Sequence, residues 1–172
     1  LIYASHYGFR QSSAKIKGSM DGLMNLDLLS VGVATAAMGV LGFAIFLQDR
    51  KSITNRSFFY LSLVVILWSI TNYAAYQFTT ADITLWLLRL VIFFATWFAF
   101  LVLTFLYVFP SDVMRFPKWY KFGFLPLAMV VSIICLTPLV FSRVVELSAV
   151  NGASRVANGP GIILFGLTVL TF

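Results

Sequence analysis

Charge is scarce in this chain: twelve basic and six acidic residues make up 10% of 172 positions, while 60% are hydrophobic. A soluble domain of this length can bury an apolar core, but it cannot hide that much apolar surface from water. There is one cysteine, Cys135, inside an apolar run, so no disulfide forms within the chain. A buried structural thiol is expected there. There is one histidine, His6, ahead of the apolar part. Paired axial ligands for haem, a zinc site and a phospho-accepting histidine are therefore excluded from the apolar region. No lysine falls inside an apolar run, which removes a retinal-type Schiff base. No Gly-rich phosphate loop precedes a helical stretch, and no nucleophile–base pair can be assembled. The expectation is a chain without catalytic, metal or cofactor sites of its own.

What remains is long apolar segments. A bilayer core of about 30 Å takes roughly 20 apolar residues as a helix. Four segments meet that test: Leu28 to Leu47, Ser57 to Phe78, Leu85 to Phe109 and Phe122 to Phe141. A fifth begins at Gly161 and reaches Phe172 after too few residues to cross; a segment cut short is the simpler reading, and a re-entrant one the alternative. The expected fold is all-α, a polytopic transmembrane helix bundle of four full spans plus a truncated fifth. Aromatics at 17%, including eighteen Phe, suit lipid-facing and interfacial positions.

The formal charge of +6 sits in short clusters between apolar runs, so it reads as a topology signal and not as a nucleic-acid stripe. Arg50, Lys51 and Arg56 lie between the first two spans, and Arg115, Lys118 and Lys121 between the third and fourth. The second connection, TTADIT, carries no positive charge. Positive charge marks cytoplasmic loops, so the first span enters with its N-terminus outside. The loop from Ser142 to Gly159, with Arg143 and Arg155, is then external. Arg10, Lys15 and Lys17 oppose this assignment from residues 1–23, a polar tail that differs in composition from the rest of the chain. That tail is expected to be non-native, with Met20 and Met24 as candidate starts and 24–172 as the membrane domain.

Arg89 is the clearest polar anomaly, because an ionisable residue within a span is a functional hypothesis by default. Entry near Ile83 would put it roughly 9 Å deep, within reach of the outer headgroups by snorkelling. The sharper reading pairs it with Trp86 and with Asn72, Tyr73, Tyr76 and Gln77, which share one face at the outer end of the second span. Together they would line an outward-opening pocket for a small anionic or aromatic ligand; an interfacial aromatic belt is the bland alternative. Gly32, Thr35, Ala36, Gly39 and Gly42 form a small-residue stripe on the first span. Such a stripe lets helices approach closely in lipid, within the bundle or between copies. Asn151-Gly152 and Asn158-Gly159-Pro160-Gly161 are turn signals, glycine permitting positive φ.

The run GFAIFLQDRKSITNRSFFYLSLVVILWSITNYAAY, with Asn55, Arg56, Phe58 and Trp68, resembles the opening of the seven-helix N-terminal sensor region of bacterial histidine kinases. Trp86 and Arg89 in the third span, and Asn158-Gly159-Pro160 before the fifth, extend the resemblance over Met24 to Phe172. It implies an N-terminus outside the bacterial cytoplasmic membrane, seven spans, and a cytoplasmic kinase or cyclic-dinucleotide synthase as output. The chain departs from that family in length. The expected function is a membrane sensor passing an external cue to that output module, with the bilayer, an unidentified small ligand and a second copy through the output module as partners. A small transporter or a membrane scaffold is the alternative.

Overall fold

The computed structural model describes residues 29–78, 80–109, 118, 120–146 and 155–172. The tail 1–23, the Arg115 loop between the third and fourth segments, and the Asn151-Gly152 turn lie outside these residues. The chain divides into two compact units, residues 1–36 and 37–172. In the first unit the described residues, 29–36, are helical. They belong to α1 (Leu29–Gln48), whose remainder lies in the second unit.

The second unit continues through α2 (Ile53–Gln77), α3 (Ala81–Val108), a π-helical turn (Tyr120–Phe124), α4 (Leu125–Cys135), β1 (Phe141–Glu146), β2 (Arg155–Asn158) and α5 (Gly161–Thr171). Helices α1, α2 and α3 are long and apolar enough to cross a membrane. Their lengths and composition are those of a multi-pass membrane protein, and the helical bundle expected from the sequence is present. Helix α2 packs along α3, α3 against α4, and α4 against α5.

The α1–α2 connection is closed by short-range bonds that satisfy helix-end groups. Asp49 Oδ1 accepts from the Lys51 and Ser52 amides at 2.8 and 3.3 Å. Ser52 caps α2 by accepting from the Asn55 amide at 3.3 Å. Asn55 Nδ2 reaches back to the Ile45 and Asp49 carbonyls at 3.0 and 3.3 Å, and Arg56 Nε donates to the Arg50 carbonyl at 2.7 Å. These two residues therefore hold the exposed end of α1, which gives the Asn-Arg pair a structural use. Phe46 stacks on Phe59 beside this turn, centroids 4.8 Å apart.

The small-residue stripe is used selectively. A Cβ at Gly42 would lie 2.6 Å from Ser62 of α2, and one at Gly39 would lie 3.3 Å from Ile66. Gly32 and Ala36 are exposed, and among the described residues nothing lies within 4 Å of a Cβ built at Gly32. Within this bundle the close approach is at Gly42 first and Gly39 second.

Two details differ from the expectation: the helical extent of the fourth segment and the wholly helical content. The fourth span, read as Phe122 to Phe141, stays helical only from Tyr120 to Cys135. Pro138 explains its end, because the residue before a proline is pushed out of the α region. Thr137 closes the last turn, its hydroxyl donating to the Ile134 carbonyl at 2.6 Å. Pro126 also lacks an N–H and clashes with the carbonyl of the preceding turn, which accounts for the π-helical entry. Secondly, the fold is not wholly helical: the connection read as a loop contains an antiparallel pair, β1 with β2, in the register Phe141↔Asn158 and Val144↔Val156. Register shifts between Phe141 and Arg143 and between Val144 and Glu146 break the two-residue period, so the segment carries no clear alternation.

Gly159 and Gly161 then bring the chain back against the end of α4. Their amides donate to the Val140 and Leu139 carbonyls at 2.8 and 2.9 Å. A Cβ at Gly159 would collide with the Leu139 carbonyl, so close approach, and not positive φ, requires glycine here. Gly159→Ala should therefore cost about 1–3 kcal/mol through overpacking. Gly166→Ala, where nothing lies within 4 Å among the described residues, should be neutral or stabilising. Chemical denaturation of both variants in detergent micelles checks the contrast.

Candidate functional site

Arg89 stands eight residues into α3, about 12 Å along its axis from Ala81. The start of that helix is set by Thr84, which is fully buried and donates from Oγ1 to the Phe78 carbonyl at 3.0 Å. That bond ties the first turn of α3 to the end of α2 and fixes the rotation at which the helix begins. The rotation directs Leu85, Leu88, Ile92 and Phe93 into the cluster of Val131, Cys135, Val140 and Phe141. Arg89 belongs to the same side of α3 and is 6% exposed.

Its guanidinium meets the first residue of the hairpin. Nη2 donates to the Phe141 carbonyl at 2.7 Å and Nε donates to the same oxygen at 3.3 Å. The Trp86 ring lies 5.3 Å from Cζ, within cation–π range, and Trp86 as a residue is 54% exposed. Leu139, Val140 and Phe141 thus present three successive carbonyls outside a helix, and each receives a donor: Gly161 N–H, Gly159 N–H and Arg89. Non-helical backbone at membrane depth is tolerated only when its polar groups are satisfied within the protein. Arg89 supplies a side-chain donor to the third of these carbonyls.

Of the six residues read as a ligand-binding group, the structure brings Arg89 and Trp86 together. Asn72 and Tyr73 are half-buried, and Tyr76 and Gln77 are exposed near the end of α2. The hydrogen bonds of Arg89 go to the hairpin and not to these four. The Phe141 carbonyl was not foreseen, because every residue carries a carbonyl and only the fold singles one out. Pro138 was the available signal: it ends α4 early and leaves carbonyls in need of donors.

Small polar side chains continue along the α3–α4 contact. Thr96 is fully buried, donates to the Ile92 carbonyl at 3.0 Å, and lies 3.8 Å from Cys135 Sγ. Nearer the other end, Thr104 is hydrogen-bonded to Tyr120, whose ring stacks on Phe100 at 5.5 Å. Hydroxyls that return their protons to the preceding turn sit in lipid at little cost, so these contacts read as packing.

Replacing Arg89 by Met keeps the length of the side chain and leaves the Phe141 oxygen without its donor, a loss of about 1–3 kcal/mol. Amide exchange in β1 and β2 should accelerate, while the α2–α3 pair keeps its protection; hydrogen-exchange mass spectrometry separates the two regions. No family model, curated protein or solved structure matches the chain, and the site is read from its own geometry.

Proposed function

We propose that the chain is the membrane-embedded receiving domain of a bacterial signal-transduction protein, lying in the cytoplasmic membrane with its N-terminus outside. In this reading an external cue acts on the hairpin, and α3 passes the displacement towards a cytoplasmic output module. The proposal includes the fourth segment as a further span, completed by the irregular backbone after Cys135. The observation that carries it is the bond between Arg89 and Phe141, partners 52 residues apart in sequence. It is a charged link between a membrane helix and a surface hairpin, and a cue that moves one partner must strain or break it. Two discrete arrangements, linked and released, would give the bistable element that a sensor needs.

The charge pattern supports the orientation. Arg50, Lys51, Lys118 and Lys121 are exposed at one end of the bundle, where Asp49 is engaged by backbone amides. Arg50 and Lys121 also lie over the Phe46 and Phe122 rings, at 5.9 and 6.0 Å, an arrangement suited to an interface of headgroups.

Orientation is tested first. Cysteines introduced by Ser142→Cys and Lys51→Cys should differ in reactivity towards a membrane-impermeant maleimide on intact cells. The first should label at once and the second only after permeabilisation, with fully buried Cys135 giving little background. The reverse pattern would remove the sensor reading. Signalling is tested by Arg89→Ala in a reporter strain, where the response to the cue should fall while membrane insertion is kept. An unchanged dose–response would take Arg89 out of the mechanism.

A further inference from the structure

The edge of Arg89 that faces the hairpin is only half used. Nε and Nη2 form the side of a guanidinium that a carboxylate or phosphate takes with two oxygens. Here both donors converge on the single oxygen of Phe141, one at 2.7 Å and the other stretched to 3.3 Å. The acceptor is neutral and so is the Trp86 ring, so the charge of Arg89 is unmatched among its described contacts. Asp82 does not match it: that residue is exposed, seven positions earlier on α3, and about 10 Å away along the axis. Asp49 is engaged at the α1–α2 turn.

We propose that this edge of Arg89 is an exchangeable oxyanion site, at which an incoming carboxylate or phosphate displaces the Phe141 carbonyl. A bidentate charge-assisted pair is stronger than a bifurcated bond to one neutral oxygen, which gives the exchange its direction. Phe141 is the first residue of β1, so the group that must leave belongs to the short pair and not to a long helix. The hairpin carries exposed Arg143, two residues from Phe141, and this cation raises the local concentration of anions beside the site. Trp86, a half-exposed residue whose ring lies 5.3 Å from the guanidinium carbon, borders the site. Binding therefore frees β1 from α3. This deepens the sensor reading by naming its ligand class, and it rests on that reading only for its biological meaning.

The test uses the full chain purified in dodecyl maltoside, which contributes no phosphate. Amide exchange of β1 and β2 is followed while sodium acetate replaces sodium chloride at constant ionic strength. Acetamide, the neutral isostere, is titrated in parallel, and phosphatidylglycerol is added to the micelles in a third series. Acetate or phosphatidylglycerol should accelerate exchange several-fold and saturably, with acetamide inert. A response to acetate alone identifies a small carboxylate ligand, and a response to the lipid alone identifies a headgroup phosphate. Arg89→Lys keeps the charge without the two-donor edge and should lose most of the response; where that variant does not fold, the acetate–acetamide comparison decides. No saturable acceleration by either oxyanion, or an equal effect of acetamide, overturns the proposal. That failure would leave the maleimide and reporter results of the sensor reading untouched, so the two are separable.

Discussion

In hydrocarbon a backbone carbonyl has no water to turn to, and a chain that leaves the helical conformation there must find donors in the protein. The segment after Cys135 leaves the helical conformation and finds its donors within the protein. Helix α4 ends at Cys135, ahead of Pro138, and Leu139, Val140 and Phe141 follow with their carbonyls outside any helix. Two are met by the amides of Gly161 and Gly159, and the third by Arg89. Other features depend on that arrangement. Glycine is required at 159 because a Cβ would strike Leu139, α5 begins where the returning chain has been pinned, and α3 must start at a rotation that turns Arg89 inward.

The energetics of that cation are not closed by its own hydrogen bonds. Taking a guanidinium out of water costs several kcal/mol even after relaxation. A hydrogen bond involving a charged group returns about 1.5–3 kcal/mol, and a cation–π contact about 0.5–2 kcal/mol. Arg89 has one strong bond, one long one and one aromatic neighbour, so these gains at best approach the cost. Position relieves part of the difference, because about 12 Å along a helix from its start is still near the polar boundary. The remainder is an electrostatic demand for negative charge, which a neutral carbonyl meets only through its dipole. Snorkelling alone would have left the side chain pointing to solvent; instead it is buried against β1.

The sequence made some of this legible and concealed the rest for physical reasons. Helices α1 to α3 were readable because span length and hydropathy are properties of single segments, and their ends fell within a few residues of the expected ones. The start of α5 at Gly161 was readable from the turn residues before it. Arg89 stood out because a charge in an apolar run is conspicuous by itself. Its partner did not, since an acceptor on the backbone leaves no mark on residue type. The early end of α4 was signalled by Pro138, yet apolar residues continued to Phe141 and the hydropathy of the run outweighed the local stop. In α1 the stripe was visible, but which glycine is crowded depends on α2: Ser62 packs on Gly42, while Gly32 and Ala36 remain exposed.

The two ends of the bundle are secured in different ways, and the difference bears on which end can act as a receiver. At the α1–α2 end, Asp49, Ser52, Asn55 and Arg56 bond to neighbours no more than ten residues away. Such bonds are local, and re-forming them requires no distant partner. At the hairpin end the fastening of α3 to β1 joins residues 52 positions apart. Once broken, it is restored only when a helix and a separate two-stranded unit return to register, and two strands alone are marginally stable. In the proposed sensor, that slow return is what would let the released arrangement persist beside the linked one. Sensing demands such a pair of arrangements, and the buried guanidinium of Arg89 sits at the point where the two would part.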